Sequence, residues 1–408
     1  MRISFFSSLR RVSLITPYVS RFTFHVSRFT HRASRNTQHA IRNTPQSQRG
    51  IALIIVMVSI FVLAILAGGF AYSMRVETTL ARNANSETEL EWLGRSGVEY
   101  ARWILAQQLN IREEPYDALN QVWAGGQGGL GTTNSPLAEV QREVHLGHGS
   151  FTWKITDLER KFNLNAPEPV LQQILPQALL ALGVDAGEQT PIVNSILNWT
   201  ASGGNTHHLQ GAESDFYQGL KPPYEAKNGP IDDLSELLLI RGITQEMYWG
   251  TASTNHTPGK FQAQLNRFGA PVAPPTYSVG LVDLLTPLAR GDRNGRYSIN
   301  LNTASAEVLQ LIPGVDPMIA QAICSARDGE DDGSGLLGPY RTVQQVSRVP
   351  EVGQVGPIFG AIQQFCSVSS STFEVQVDAQ IGAYKRQFIA ILGRTSPRDV
   401  QILNFYWK

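Results

Sequence analysis

The chain has 408 residues, of which 42% are hydrophobic and 17% charged, so it has room for two or three domains with a sizeable core. Its 34 basic residues equal its 34 acidic ones, but residues 1–50 carry nine arginines and no acid. The remainder is acidic, with 25 basic against 34 acidic residues. This balance disfavours a general nucleic-acid binder, because phosphate affinity depends on clustered lysine and arginine.

The first predicted element is a membrane-spanning helix over residues 51–74, IALIIVMVSIFVLAILAGGFAYSM, which contains no charge. About 20 apolar residues match the ~30 Å hydrocarbon core, and this run is too long for a secretory signal peptide. Arg42 and Arg49 precede the span, and the positive flank stays in the cytoplasm. We therefore predict a single pass with the C-terminal bulk outside. Apolar spacing extends the helix over residues 75–110, with Gly94 and Gly97 as its weak points.

The junction before the span carries a recognisable motif. Gln48-Arg49-Gly50 followed by Ile51 resembles the type IV prepilin cleavage motif, in which a peptidase cuts after the glycine. The resemblance implies a processing site formed by Arg49, Gly50 and Ile51, with residues 1–50 as a removed leader. That leader contains a near-repeat, Val-Ser-Arg-Phe-Thr at 19–23 and 26–30, and the alternative is that the true start lies near Arg49.

The fifth mature residue is then Ile55, where most pilins and pseudopilins carry glutamate. Its absence is similar to the minor pseudopilin K family of the type II secretion system, also called general secretion pathway protein K. The stretch Asp157-Leu-Glu-Arg-Lys-Phe-Asn-Leu-Asn165 resembles the same family. So does Ile231-Asp-Asp-Leu-Ser-Glu-Leu237.

The predicted fold class is α+β: a pilin-like long N-terminal helix on a small antiparallel sheet, with a large helical insertion that contains SAM-like or helix-hairpin-helix modules. Period-two alternation places a strand pair around Gly147–Gly149 and three antiparallel strands near the C-terminus. Residues 169–200 are predicted to be largely helical, with a second helix beginning near Thr190 and Pro191 in its first turn. The predicted regions after the anchor are the first part of the sheet, 111–165; the helical insertion, 166–297; the helix-hairpin-helix module, 298–366; and the C-terminal strands, 367–408.

The helix-hairpin-helix turn is predicted at Pro313, Gly314, Val315 and Asp316, after a helix that Thr303 could cap. Similar turns bind DNA phosphate through backbone N–H groups and nearby basic residues. Here Asp316 replaces the second glycine, and no lysine or arginine lies between Asn302 and Ala326. We therefore expect no nucleic acid. The alternative function is a membrane-anchored helix-hairpin-helix DNA-binding protein of a competence-type system.

Enzymatic activity is not predicted, because the sequence contains no GxSxG, HExxH or P-loop motif. No cofactor is certain, although the family resemblance implies calcium, which takes about six to eight oxygen ligands. The stretch 198–204, where family members usually have aspartates, contains no acid. The remaining candidate ligands are Glu213, Asp215, Asp232 and Asp233, and solvated acids or helix caps are the open alternative.

Cys324 and Cys366 either pair or remain two buried thiols. We predict a disulfide, because exported domains lie in an oxidising compartment.

The resemblance further implies location in the bacterial inner membrane, with a cytoplasmic N-terminus and a periplasmic C-terminal bulk. It implies a role at the tip of a type II secretion pseudopilus. The implied partners are the I-type and J-type minor pseudopilins, the major pseudopilin, the prepilin peptidase and inner membrane lipid.

Overall fold

The computed structural model describes residues 49–129, 132–201, 208–250, 277–289, 297–329, 337–353 and 356–408. Most of the predicted leader therefore lies outside the described residues. Two compact units are present, one ending at Met74 and one from Arg75 to Lys408. The helices of the described residues are α1 Arg49–Gln108, α2 Glu168–Leu182, α3 Ala186–Thr200, α4 Ser214–Gln218, α5 Gln245–Trp249, α6 Leu281–Leu284, α7 Ala306–Leu309, α8 Pro317–Asp328 and α9 Pro357–Phe365.

Five short 3₁₀ helices accompany them: Val122–Ala124, Thr132–Asn134, Pro136–Glu139, Leu234–Leu239 and Val343–Arg348. The strands are β1 Glu143–Leu146, β2 Gly149–Asp157, β3 Phe162–Asn163, β4 Leu285–Thr286, β5 Ile299–Asn300, β6 Cys366–Ser367, β7 Thr372–Ile381, β8 Tyr384–Ser396 and β9 Asp399–Trp407.

The main sheet has five strands in the order β1-β2-β7-β8-β9, and every neighbouring pair is antiparallel. The predicted alternation in β2 is confirmed, since Phe151, Trp153 and Ile155 are buried while Thr152 and Lys154 are exposed. The three predicted C-terminal strands are likewise present as β7, β8 and β9. This is the small antiparallel sheet of the predicted α+β fold.

The C-terminal part of α1 packs on this sheet and forms one hydrophobic core with it. The helix runs unbroken through Gly94 and Gly97, which face the sheet. A Cβ atom on Gly94 would lie 2.3 Å from the Phe388 ring, and one on Gly97 would lie 2.5 Å from Val377. Both glycines therefore let the helix sit directly on the strands.

The helical insertion lies between β2 and β7 in the chain and has a second hydrophobic core of its own. Two short parallel ladders divide it: β3 pairs with β4 and β5 pairs with β6. The first ladder brings Phe162 opposite Leu285, and the second brings Ile299 opposite Cys366. The first ladder thus joins the two ends of the segment 162–286, and the second joins the two ends of the segment 299–367.

Two local predictions were wrong. α3 begins at Ala186 rather than near Thr190, so Pro191 lies inside it. Gly183 ends α2 in the left-handed conformation, at φ 83°, and the chain starts α3 only three residues later.

The predicted cap of the helix before the turn was the second wrong prediction. The cap of α7 is Ser305, which accepts the N–H of Val308, and not Thr303. The Thr303 hydroxyl instead donates to Asp157, a residue 146 positions away that local pattern could not identify.

Candidate functional site

The predicted processing junction lies at the beginning of α1. The described part of α1 includes the bond between Gly50 and Ile51, and the Ile51 side chain is exposed. Cleavage at this bond stays a prediction.

The apolar half of α1 is long and apolar enough to cross a membrane. Its large side chains from Ile51 to Met74 contact solvent rather than protein, and Ile55 is 60% exposed. The one hydroxyl near Ile55, that of Ser59, donates to the Ile55 carbonyl at 2.8 Å. This surface is what lipid contact requires, because no charged group and few polar ones would have to enter hydrocarbon.

The helix-hairpin-helix turn forms where it was predicted, between α7 and α8. Gly314 adopts φ 87°, a left-handed conformation that favours glycine. Val315 is buried, and Asp316 caps α8 by accepting the N–H of Ile319 at 2.8 Å. Ile358 of α9 lies 3.3 Å from the position a Cβ on Gly314 would take. The turn is therefore packed against α9, and a carboxylate occupies the end of α8.

The nearest basic residue after the turn is Arg327, which is buried. Its guanidinium donates to the carbonyls of Leu301 and Ala304, at 3.0 and 2.6 Å, and pairs with Asp328 at 2.7 Å. A guanidinium with these bonds cannot reach a phosphate without breaking them. Arg327 therefore supplies no free positive charge at this turn, and the expectation of no nucleic acid stays a prediction.

The calcium candidates do not form a metal centre. Among the residues that the structure describes, no group of three or more acids, histidines or cysteines could hold a metal ion. Asp232 pairs with the Lys227 ammonium at 2.6 Å, and Asp233 caps the 3₁₀ helix that follows it. Glu213 and Asp215 lie at the start of α4. Asp232 is thus an ion-pair partner and Asp233 a helix cap, and capping is one of the alternatives that the sequence left open. The four candidate residues together do not fit a calcium site.

Lys227 is the more prominent feature of this region. Its ammonium also lies 2.7 Å from Glu236, whose carboxylate accepts the N–H groups of Asp232 and Asp233. The Lys227 ammonium therefore bridges the carboxylates of Asp232 and Glu236.

Cys324 in α8 and Cys366 in β6 are both buried, and the structure joins them by no disulfide. Burial raises the pKa of the Cys324 thiol, which favours its protonated form. Pairing of the two cysteines stays a prediction.

Comparison with known proteins gives two family matches. Residues 160–251 match the family described as type II secretion system protein K, and residues 296–355 match the helix-hairpin-helix motif. Type II secretion system protein K of Aeromonas hydrophila is 23% identical over 219 residues, 50% of this chain and 61% of its own. A relative in Escherichia coli K12, whose name assigns it to the same protein K, is 26% identical over 212 residues, 50% of this chain and 60% of its own.

The chain is thus similar to the type II secretion system protein K family over about half of its length. Its alignments span about three fifths of the length of these relatives. The fold is also similar to a chain in the crystal structure of the GspK–GspI–GspJ complex of enterotoxigenic E. coli, with a TM-score of 0.56. That match has 17% identity and covers 80% of this chain and 99% of the other.

Sequence reasoning missed a buried polar cluster at the end of β2. Asp157 and Glu159 were noted only as part of a family-like stretch, yet both are buried among hydroxyl and amide groups. Two acids directly after a half-buried strand were the available signal. Their partners come from segments more than 100 residues away, so no local pattern reveals them.

Proposed function

We propose that this chain is a minor pseudopilin at the tip of a type II secretion pseudopilus. There it helps start assembly of the pseudopilus that exports folded proteins across the outer membrane. The observation that carries the proposal is the large helical insertion between β2 and β7 of a pilin-like sheet. Such bulk would clash if it were repeated along a thin filament, whereas a subunit at the tip has open space above it.

The proposed location is the bacterial inner membrane, crossed once by the apolar part of α1. The N-terminus would be cytoplasmic, because Arg42 and Arg49 flank the span on that side, and residues from about 75 onward would be periplasmic. A prepilin peptidase would cut between Gly50 and Ile51. These steps follow from the charge pattern and from the family resemblance.

The proposed partners are the I-type and J-type minor pseudopilins, the major pseudopilin and lipid. The solved structure with the similar fold is a complex of three such proteins, which supports the choice of the first two. The role is structural, so it needs no catalytic residue. DNA binding through the helix-hairpin-helix turn is disfavoured, because Asp316 closes α8 and Arg327 is buried.

The test is the position and copy number of the subunit in pseudopili. An epitope-tagged form of this chain can be located by immunogold labelling on pseudopili isolated from cells that overproduce the major pseudopilin. We expect label at one end only, and fewer filaments when the subunit is deleted. Label spaced along the shaft at many copies would contradict the tip role.

A further inference from the structure

A buried polar cluster lies where the sheet meets the helical insertion. Three carboxyl groups belong to it: Asp117 after α1, Asp157 at the end of β2, and Glu159 just beyond. One guanidinium, Arg394 of β8, is the only cation among the described residues that hydrogen-bonds to any of the three. All four residues are at most 5% exposed, so water screens their charges poorly. Three acids and one base cannot all be ionised there without net negative charge.

Asp157 connects β2 to the insertion and to the segment before β7. Its Oδ2 accepts the hydroxyls of Ser370 and Thr303, at 2.6 and 2.5 Å, and the amide of Asn300 at 3.1 Å. Its Oδ1 accepts the N–H of Glu159 at 2.8 Å. Burial raises the Asp157 pKa, and hydrogen bonds to its carboxylate act in the opposite direction without reversing the rise.

Asp117 is the second acid of the cluster. Its Oδ2 accepts the Arg394 guanidinium at 2.5 Å and the N–H of Ser370 at 2.8 Å. Its Oδ1 is buried and has no hydrogen-bond partner among the residues that the structure describes. The Arg394 guanidinium is thus already paired with Asp117, and no other described cation hydrogen-bonds to the cluster.

Glu159 is the third acid. Its Oε1 accepts the N–H and the hydroxyl of Ser371, and its backbone carbonyl accepts the N–H of Asn300 at 2.9 Å. Burial, and then the negative charges of Asp157 and Asp117, raise the pKa of Glu159 to about 8. At neutral pH this side chain therefore holds a proton, and it lies on the hydrogen-bonded contact between the sheet and the insertion.

We propose that this cluster is a pH-dependent clamp between the pilin-like sheet and the helical insertion. The clamp is tight when Glu159 carries its proton, and it weakens when Glu159 ionises beside Asp157 and Asp117. Loss of the proton adds a buried negative charge at the point where Asn300 and Ser371 bond to Glu159. The insertion is then held less firmly, while the two hydrophobic cores remain intact.

The direction of the pH effect follows from proton binding. Below the unfolded pKa of Glu159, near 4.5, folded and unfolded chains both hold the proton and the stabilisation is complete. From there to about pH 8 only the folded chain holds it, so the folding equilibrium constant falls as pH rises, by up to about tenfold per pH unit. Above the folded pKa the decline stops.

The experiment measures hydrogen exchange and urea unfolding of the full mature chain in detergent micelles between pH 5 and pH 9. In the wild type we expect protection factors of the Asn300 and Ser371 amides to fall over this range, and the urea midpoint with them. Glu159→Gln keeps an acceptor for Ser371 but cannot ionise, so it should lose this pH dependence. Glu143→Gln, which changes an exposed acid on β1, should retain the wild-type slope.

Ser371→Ala provides a second variant should Glu159→Gln fail to fold. The Ser371 hydroxyl stabilises the ionised form of Glu159, so its removal should move the pH transition upwards. Equal pH slopes in the wild type and in Glu159→Gln would overturn the clamp. So would wild-type protection factors that do not change between pH 5 and pH 9.

Discussion

Asp316 shows how one side chain changes the chemistry of a familiar turn. Its carboxylate accepts the N–H of Ile319 and thereby occupies the positive end of α8, where a DNA phosphate would otherwise bind. Val315 beside it is buried in the helical core. The turn therefore serves the packing of the helical insertion.

Replacement of this cap should cost stability and nothing else. We expect Asp316→Ala to lower the free energy of unfolding by about 1 kcal/mol, because one N–H of α8 loses its acceptor. Asp316→Asn keeps a capping oxygen and is the matched control, with a smaller loss. Urea unfolding measures both, and a DNA-binding assay should remain negative for the wild type and both variants. Tight DNA binding by the wild type would contradict our interpretation of the turn.

The second prediction at the residue scale concerns Gly50, the residue before the proposed cleavage site. If a prepilin peptidase cuts before Ile51, a bulky residue in place of Gly50 should block access to the bond, while alanine should be tolerated or slow cleavage. In cells that contain the peptidase, Gly50→Val should accumulate as precursor and Gly50→Ala should still mature. Mass spectrometry of the N-terminus distinguishes the two forms. Normal maturation of Gly50→Val would rule out this processing site.

At the scale of elements, α1 is the longest one, and its contact with the sheet depends on two small residues. Gly94 and Gly97 were the weak points of the helix prediction over residues 75–110, because glycine lowers helix propensity. The structure explains their presence, since the Phe388 ring and Val377 occupy the space where a Cβ would lie. The two glycines thus lower the helix propensity of α1 but allow it to pack closely on the strands.

Gly94→Ala should therefore destabilise the protein although alanine is the better helix former. The added Cβ would lie 2.3 Å from the buried Phe388 ring. Overpacking costs about 1–3 kcal/mol, which exceeds the gain in propensity of up to about 1 kcal/mol. Gly187→Ala in α3, where no atom lies within 4 Å, is the matched control and should be neutral or stabilising. Thermal unfolding compares them, and equal behaviour would mean that α1 does not pack as described.

The elements that the sequence predicted well are those with a strong local period. The apolar run of α1, the alternation in β2 and the three C-terminal strands needed no knowledge of distant residues. The helix-hairpin-helix turn was also found, because Gly314 and Asp316 have local conformational roles. These are features that propensity and hydrophobic pattern determine on their own.

The features that the sequence did not predict depend on long-range contacts. Thr303 was expected to cap a helix, but its hydroxyl donates to Asp157. The Arg394–Asp117 pair joins residues 277 positions apart. The calcium candidates were grouped by composition, yet the ammonium of Lys227 meets Asp232 and Glu236 in that region. Burial and partners come from the tertiary fold, so these assignments required coordinates.

At the scale of the whole molecule, the two compact units are suited to different surroundings. The unit ending at Met74 is an apolar helix with exposed side chains, whereas the unit from Arg75 to Lys408 has two hydrophobic cores and an acidic sequence. The membrane anchor and exported domain that we propose would account for both. We then expect the position of the subunit in a filament to depend on whether residue 55 of the anchor can pair with a neighbouring subunit.

Ile55 makes that dependence testable. In pilin-type filaments a glutamate at this mature position is thought to pair with the N-terminal amine of a neighbouring subunit. An unpaired carboxylate in hydrocarbon costs about 3 kcal/mol or more, so a subunit with no neighbour above it should not carry one. Ile55 is apolar and exposed on α1, as a tip subunit requires.

We therefore expect Ile55→Glu to reduce incorporation of the subunit, the number of pseudopili and secretion of exported proteins, whereas the matched Ile55→Leu should leave all three unchanged. Site-specific crosslinking from α1 and immunogold labelling measure incorporation, and the amount of secreted protein measures function. The glutamate gains no partner at the tip, so the variant has to bury an unpaired charge or take up a proton. If Ile55→Glu instead entered the shaft at many copies with normal secretion, a neighbour would be supplying the partner. Ile55 would then be only a lipid-facing residue, and the tip assignment would be wrong.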